Sequence, residues 1–381
     1  MGNSDREHFD EYTPQNRIKH AILGKYFRAY LTALAGNADA FHYIDGFAGA
    51  GTYEKQHHGS PLIALTQLSS QPRPASASFI EKDRALFSQL VEAIAQHDPA
   101  KKLIDAPLIE LGTFSEWIER ILARSIYDRY RRVATFAFVD PCGVQGLRMQ
   151  DLAAVLSRPY GECLVFWNYD GINRWLGGVR KGEHAREGLV DLFGSGALVD
   201  QSLALFDRPR PDKEKGILEL FIRALNDAGT THVLPFRVTA KDKHRTSHYL
   251  LHCSRHGLAF KIMKEVMAGT TTGEDGEFEF STALESGELF SPVRDAAREA
   301  VLSALQRAPT RVRMFTEQWV MEPGDYLIAK DYRELLLSLE LDGRIEVLDK
   351  NGANVVPRDK RPSRQGKPTL GPDYFIRLRR A

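Results

Sequence analysis

The chain has 381 residues, 43% of them hydrophobic and 27% charged, with a formal net charge of +1. That length exceeds one ordinary domain, and the near-average composition permits a sizeable core and excludes wholesale disorder. A charge so close to zero sets up no global field toward nucleic acid or membrane, so any basic patch must be local.

The three cysteines, Cys142, Cys163 and Cys253, are far apart and form no C-x-x-C pair. This argues against a zinc knuckle or a disulfide framework and for reduced thiols. The polar, acidic start from Met1 to Thr13 lacks an apolar h-region, and no apolar run approaches the ~20 residues of a membrane span. A soluble, cytoplasmic protein without membrane contact is expected.

In chain order, Ile18, Ile22, Leu23, Tyr26, Phe27, Tyr30 and Leu34 recur at three- and four-residue spacings, which predicts a helix over residues 16–34. A β-rich run over 41–44 then leads into the turn Asp45-Gly46-Phe47-Ala48-Gly49-Ala50-Gly51, followed by a helix over 61–68. Strands over 78–81, 107–111, 133–139 and 163–167 alternate with helices over 85–96 and 115–124, the pattern of βαβ units in a parallel sheet. Residues 171–230 are polar, with two helix-like stretches broken at Pro209 and Pro211, and read as a helical insertion over the cofactor-binding edge. Runs over 231–239 and 247–254, joined by a charged loop, read as a hairpin. Five parallel strands closed by a terminal hairpin make a Rossmann-like class I methyltransferase sheet, where a plain dinucleotide-binding sheet would have a crossover helix.

Glycines and acidic residues over 269–287 predict a linker, separating a first domain over 1–285 from a second over 290–381. In the second, helices over 293–305 and 331–341 precede alternating strands over 344–348 and 374–378 around a polar loop, an order that predicts a winged-helix domain.

A small-residue turn after a strand lets backbone N–H groups approach a ligand that side chains would block. Asp45, at the strand end, is placed to attract an ammonium; Glu81, at the end of the second strand, suits the two hydroxyls of a ribose. No lysine follows the last glycine, which excludes a P-loop. The turn, Glu81, Asp140-Pro141 and the hairpin together point to S-adenosylmethionine (SAM), with Asp45, Gly46, Phe47, Ala48, Gly49, Gly51 and Glu81 as binding residues. Thr113 and Phe114 stand where an adenine contact is expected, the former for a weak polar contact and the latter for packing on the ring.

Several segments in order resemble the three-Cys-motif partner proteins. They are Tyr43 through Gly51, Gly59-Ser60-Pro61-Leu62, Phe79-Ile80-Glu81, Phe138 through Gly143, Asn168 with Ile172-Asn173-Arg174, and Tyr249-Leu250-Leu251 through Gly257-Leu258 to Met263-Lys264. The resemblance covers most of residues 16–268 and extends to a C-terminal winged helix. It implies a class I methyltransferase-like fold and a three-cysteine, radical-SAM-like protein as partner, without bringing a settled reaction.

Asp140-Pro141-Cys142-Gly143 looks like the Asp-Pro-Pro-aromatic motif of amino-methyltransferases, in which the Asp and a backbone carbonyl hold an exocyclic amine. Cys142-Gly143 departs from it by removing the stacking aromatic. Asp140 and Pro141 are therefore candidate catalytic residues, or else a strand-ending turn. A Cys142 thiolate attacking a pyrimidine is a further idea, set against a plain small residue near the cofactor. Asn168, with Asp170, Asn173 and Arg174, lines the same rim as substrate contact or as helix cap.

His244, His248, His252 and His256 recur every four residues, but on a strand that spacing is about 13 Å, so no metal is expected. Eight Lys/Arg between Arg358 and Arg380 form a basic wing for nucleic acid or for a protein partner. Two functions stay open: a SAM-dependent methyltransferase acting on a nucleic acid or nucleobase, and a non-catalytic recognition module for the partner.

Overall fold

The computed structural model describes residues 12–53, 57–141, 143, 146–239, 246–270, 278–279, 292–322, 327–364 and 367–379. It divides into two compact units, Met1–Glu279 and Phe280–Ala381.

The first unit opens with α1 (Pro14–Leu34), whose Thr13 side chain caps the Asn16 N–H and whose second face buries Ile22, Leu23, Tyr26, Phe27 and Tyr30. Next come β1 (Ala40–Asp45), α2 (Ser60–Ser70), β2 (Ala75–Glu81), α3 (Arg84–Gln96), β3 (Leu108–Leu111) and α4 (Phe114–Leu122). After a short helical turn they are followed by β4 (Val133–Val139), α5 (Met149–Leu156) and β5 (Glu162–Trp167). Every residue of β1, β2, β4 and β5 is buried, as strands covered on both faces must be.

Four helices then intervene: α6 (Tyr169–Lys181), α7 (Glu187–Phe193), α8 (Gly196–Ala204) and α9 (Arg210–Asp227). The sequence shows only two helix-like stretches here because Gly182 and Gly194 stop α6 and α7 in left-handed conformations, cutting the pattern into short pieces. Leu189, Phe193, Val199, Ile217 and Phe221 join Val165, Trp167 and Leu152 in one core. The insertion thus packs on a flank of the sheet.

The unit closes with β6 (His232–Thr239), β7 (Thr246–Ser254) and α10 (Gly257–Ala268). The strand order is β6-β7-β5-β4-β1-β2-β3, with Phe278–Glu279 added outside β6. β1 pairs in parallel with β2 and β4, and β4 with β5, whereas β7 runs antiparallel to both β5 and β6. This is the expected methyltransferase-like Rossmann sheet. The ends of β1, β2, β3, β4 and β5 share one edge, and the reversed β7 begins at it.

The second unit comprises α11 (Pro292–Arg307), β8 (Thr310–Arg311), two helical turns (Met314–Gln318 and Trp319–Met321), α12 (Ala329–Leu341), β9 (Ile345–Leu348) and β10 (Phe375–Leu378). β10 pairs antiparallel with β8 and β9, and Val301, Phe315, Leu336, Leu339 and Ile376 form the core. Among the described residues, no helix is long and apolar enough to cross a membrane.

Candidate functional site

The turn after β1 is fixed by backbone bonds to both neighbouring strands. Gly46 N–H donates to Phe138 O at 3.0 Å and Ala48 N–H to Ile80 O at 2.9 Å. Gly49 N–H donates to Glu81 Oε2 at 2.8 Å, while Asp83 N–H donates to Glu81 Oε1 at 2.8 Å. Gly49 and Gly51 take φ of +61° and +79°, the left-handed region that favours glycine. A Cβ placed on Gly49 would meet nothing within 4 Å, so its backbone faces open space. At Gly46 a Cβ would fall 2.9 Å from the Phe114 ring. Gly46 is therefore a packing glycine and Gly49 the one open to a ligand.

Asp45 is fully buried at the head of this turn. Its Oδ1 accepts Phe47 N–H at 3.2 Å and its Oδ2 the Tyr43 hydroxyl at 3.3 Å. Burial pushes its carboxyl up to about 7; hydrogen bonds from Ser60 and Phe47 oppose the shift, and the nearby charge of Asp140 adds to it. Asp45 and Asp140 end adjacent strands, so two carboxylates converge on one point of the edge.

Asp140 is held by Lys19, an ion pair the sequence reading missed because 121 residues separate the partners. The Lys19 side chain is 5% exposed and that of Asp140 21%. The Lys19 ammonium also lies 4.8 Å from the centroid of Phe166 on β5. His248 of β7 stacks on the same Phe166 ring at 4.3 Å and 11°. Gln15 of α1 donates to Ser247 Oγ at 3.4 Å, tying the start of α1 to the start of β7. No local motif marks Lys19, and His248 stands out in the sequence only as one of four evenly spaced histidines; the N-terminal helix and the reversed strand bring them to Asp140.

The remaining expected residues divide. Asn168 caps α6, its Oδ1 accepting Gly171 N–H at 2.8 Å, so the capping alternative is the role the geometry supplies. Asp170 pairs with Arg174 at 3.7 Å. The Pro141 carbonyl accepts Gly143 N–H at 2.8 Å, which engages the group expected to hold an amine. Thr113 caps α4 in a box with Glu116: its N–H donates to Glu116 Oε2 at 2.7 Å, and Glu116 N–H returns to its hydroxyl. Phe114 is 0% exposed and packs beneath Gly46. Cys142 and His244 lie outside the described residues.

Among the described residues, several buried polar atoms around this edge have no hydrogen-bond partner: His20 Nδ1, His248 Nδ1, Tyr169 OH and Asn173 Oδ1. Burial lowers His20 to about 3 and His248 to about 4, so both imidazoles are neutral near pH 7. Tyr12, His20, Tyr53 and His57 form an aromatic group beside the turn, Tyr12 stacking on His57 at 4.5 Å. The four-spaced histidines are spread apart: His252 Nε2 meets Glu162 at 3.1 Å, and His256 stacks on Tyr160. Among the described residues, no group of three or more His, Cys, Asp or Glu is placed to hold a metal.

In the second unit, Arg361 and Arg358 turn onto Glu340, and Arg377 onto Glu346. Part of the basic wing is thus neutralised internally, while Lys360 and Arg379 stay exposed.

No protein-family model matches the chain, and no curated protein does. Among solved structures, a protein from Legionella pneumophila str. Philadelphia 1 is 13% identical with a TM-score of 0.43, over 69% of this chain and 94% of that one. The O-methyltransferase from Bacillus cereus in complex with SAH is 14% identical with a TM-score of 0.33, over 67% of this chain and 92% of that one. At such scores these likenesses carry no argument about chemistry, and the fold is read from the chain's own strand order.

Proposed function

We propose that this chain binds SAM and transfers its methyl group to an amino nitrogen of a nucleic acid or nucleobase. The observation that carries the reading is the glycine turn clasped by Glu81 beside a Lys19-held Asp140. The open backbone at Gly49 would receive the cofactor, Asp45 its ammonium, and Glu81 its ribose hydroxyls. The bound cofactor would supply a sulfonium methyl group; the residues of the chain need only align the acceptor, so no strong acid–base constellation is required.

The order helix, strand, helical turns, helix, strand, long loop, strand in the second unit supports a winged helix. In this reading its exposed Lys360 and Arg379 contact phosphates. The motif resemblance supports a three-cysteine, radical-SAM-like protein as the physical partner.

A non-catalytic recognition module is the second reading, favoured by the missing aromatic after Asp140-Pro141. Calorimetry with SAM and S-adenosylhomocysteine (SAH), followed by methyl transfer from labelled SAM to total RNA and DNA, separates the readings. Absence of heat with both ligands defeats the cofactor claim. Heat without transfer, together with a stable complex with a three-cysteine, radical-SAM-like protein, favours the second reading.

A further inference from the structure

Recognition of an exocyclic amine calls for two hydrogen-bond acceptors, since a primary amino group has two hydrogens to place. Asp140 offers one. Its Oδ2 carries Lys19, and among the described residues no bond reaches Oδ1. The Pro141 carbonyl, which would be the natural second, is already engaged by Gly143 N–H.

His248 is at hand. It lies near the start of the reversed strand β7, flat on Phe166, the ring over which Lys19 also sits. Asp140 is the charge that acts on it most strongly, ahead of Lys19 and Asp170. Its Nδ1 is buried and has no hydrogen-bond partner among the described residues, an arrangement that a donor from a ligand would relieve. With the ring proton on Nε2, that nitrogen is an acceptor. Nearby, the half-buried rings of Tyr12 and Tyr53, grouped with His20, give a planar ligand an aromatic surface.

We propose that His248 is a specificity-determining residue that, with Asp140, reads a primary amino group on a planar base: Asp140 Oδ1 takes one N–H and His248 Nδ1 the other. The inference rests on the reading of Asp140 as facing the methyl acceptor. It sets the class of acceptor: adenine-, cytosine- or guanine-type amines qualify. A hydroxyl, with one hydrogen, and uracil, with no exocyclic amine, do not.

The test uses the full chain with SAH, with adenosine, cytidine and uridine as probes in saturation-transfer NMR and calorimetry. An amino-bearing nucleoside is expected to bind and uridine to fail. His248→Ala is expected to weaken that binding at least tenfold, and His248→Asn, which retains an acceptor oxygen, to recover most of it. Thermal melting confirms that both variants fold. Uridine binding as well as cytidine, no nucleoside binding at all, or an unchanged affinity in His248→Ala overturns the proposal. SAH binding is recorded separately: if it alone is missing, the cofactor reading falls while the nucleoside pattern still decides the role of His248.

Discussion

Glu81 accepts the backbone N–H of Gly49 at 2.8 Å, so the acidic end of one strand is the clasp on the turn of its neighbour. Charge-assisted bonds of this kind contribute about 1.5–3 kcal/mol. Glu81→Ala is expected to destabilise the first unit by about 1–3 kcal/mol and to weaken SAH binding at least tenfold. Glu81→Gln, which keeps an acceptor oxygen, should fall between. Urea unfolding and calorimetry check both, and an unaltered midpoint in Glu81→Ala would show the clasp to be idle.

Gly46 allows no side chain. A Cβ there lies 2.9 Å from the buried Phe114 ring, which has no room to retreat. Gly46→Ala is expected to cost about 1–3 kcal/mol through overpacking. The double variant Gly46→Ala, Phe114→Leu should recover part of that loss; strict additivity of the two changes would count against the contact.

Asp45 gives a pH signature of unusual sign. Its native carboxyl is raised from 3.8 to about 7 by burial, so between those values the native state binds the extra proton. The stability this group contributes is present below pH ~4 and is lost as pH rises through ~7. Asp45→Asn should therefore raise the melting temperature above pH 7 and change it little near pH 4. If Asp45 receives the SAM ammonium, affinity should rise with pH through ~7 in the wild type, with proton release on binding, and stay flat in the variant. Calorimetry in buffers of different ionisation enthalpy reads that proton directly.

Lys19 and Asp140 are nearly buried together, and removing one partner strands the other. Lys19→Met is expected to cost about 2–4 kcal/mol, less than a fully enclosed pair because Asp140 keeps some water. Lys19→Met combined with Asp140→Asn should be more stable than the sum of the single effects by more than ~0.5 kcal/mol. Denaturant titration of the four proteins measures that coupling.

If the second unit binds nucleic acid, its phosphate contacts come from exposed cations that have no ion-pair partner among the described residues. Lys360→Ala and Arg379→Ala should each reduce the salt dependence of duplex binding by roughly one phosphate. Arg361→Ala, by contrast, uncouples Glu340 in the interior and should lower the melting temperature. Fluorescence anisotropy across a salt series distinguishes the two effects.

The central strands were legible because each is an apolar run with both faces covered, and the turn because its glycines punctuate one of them. Asp45, Glu81 and Asp140 were legible for the same reason, as polar residues ending apolar strands. Thr113 carried a competing signal in plain view, since Thr113-x-x-Glu116 spells a capping box. Asn168 before α6 carried a similar one. Lys19 was hidden: it reads locally as an ordinary polar position, and only tertiary pairing across 121 residues gives it meaning. His248 stood out only through the four-residue spacing of histidines, which points to a metal, and the reversed strand places it at the rim instead.

The reversal of β7 divides the chain's labour along the seam between β1 and β4. Every candidate cofactor contact comes from residues 45–114, whereas the proposed acceptor side draws on α1, the ends of β4 and β5, and the start of β7. If the chain is a methyltransferase, a change of methyl acceptor could therefore proceed by substitutions at α1, the end of β5 and the entrance to β7, leaving the residues proposed to grip the cofactor untouched.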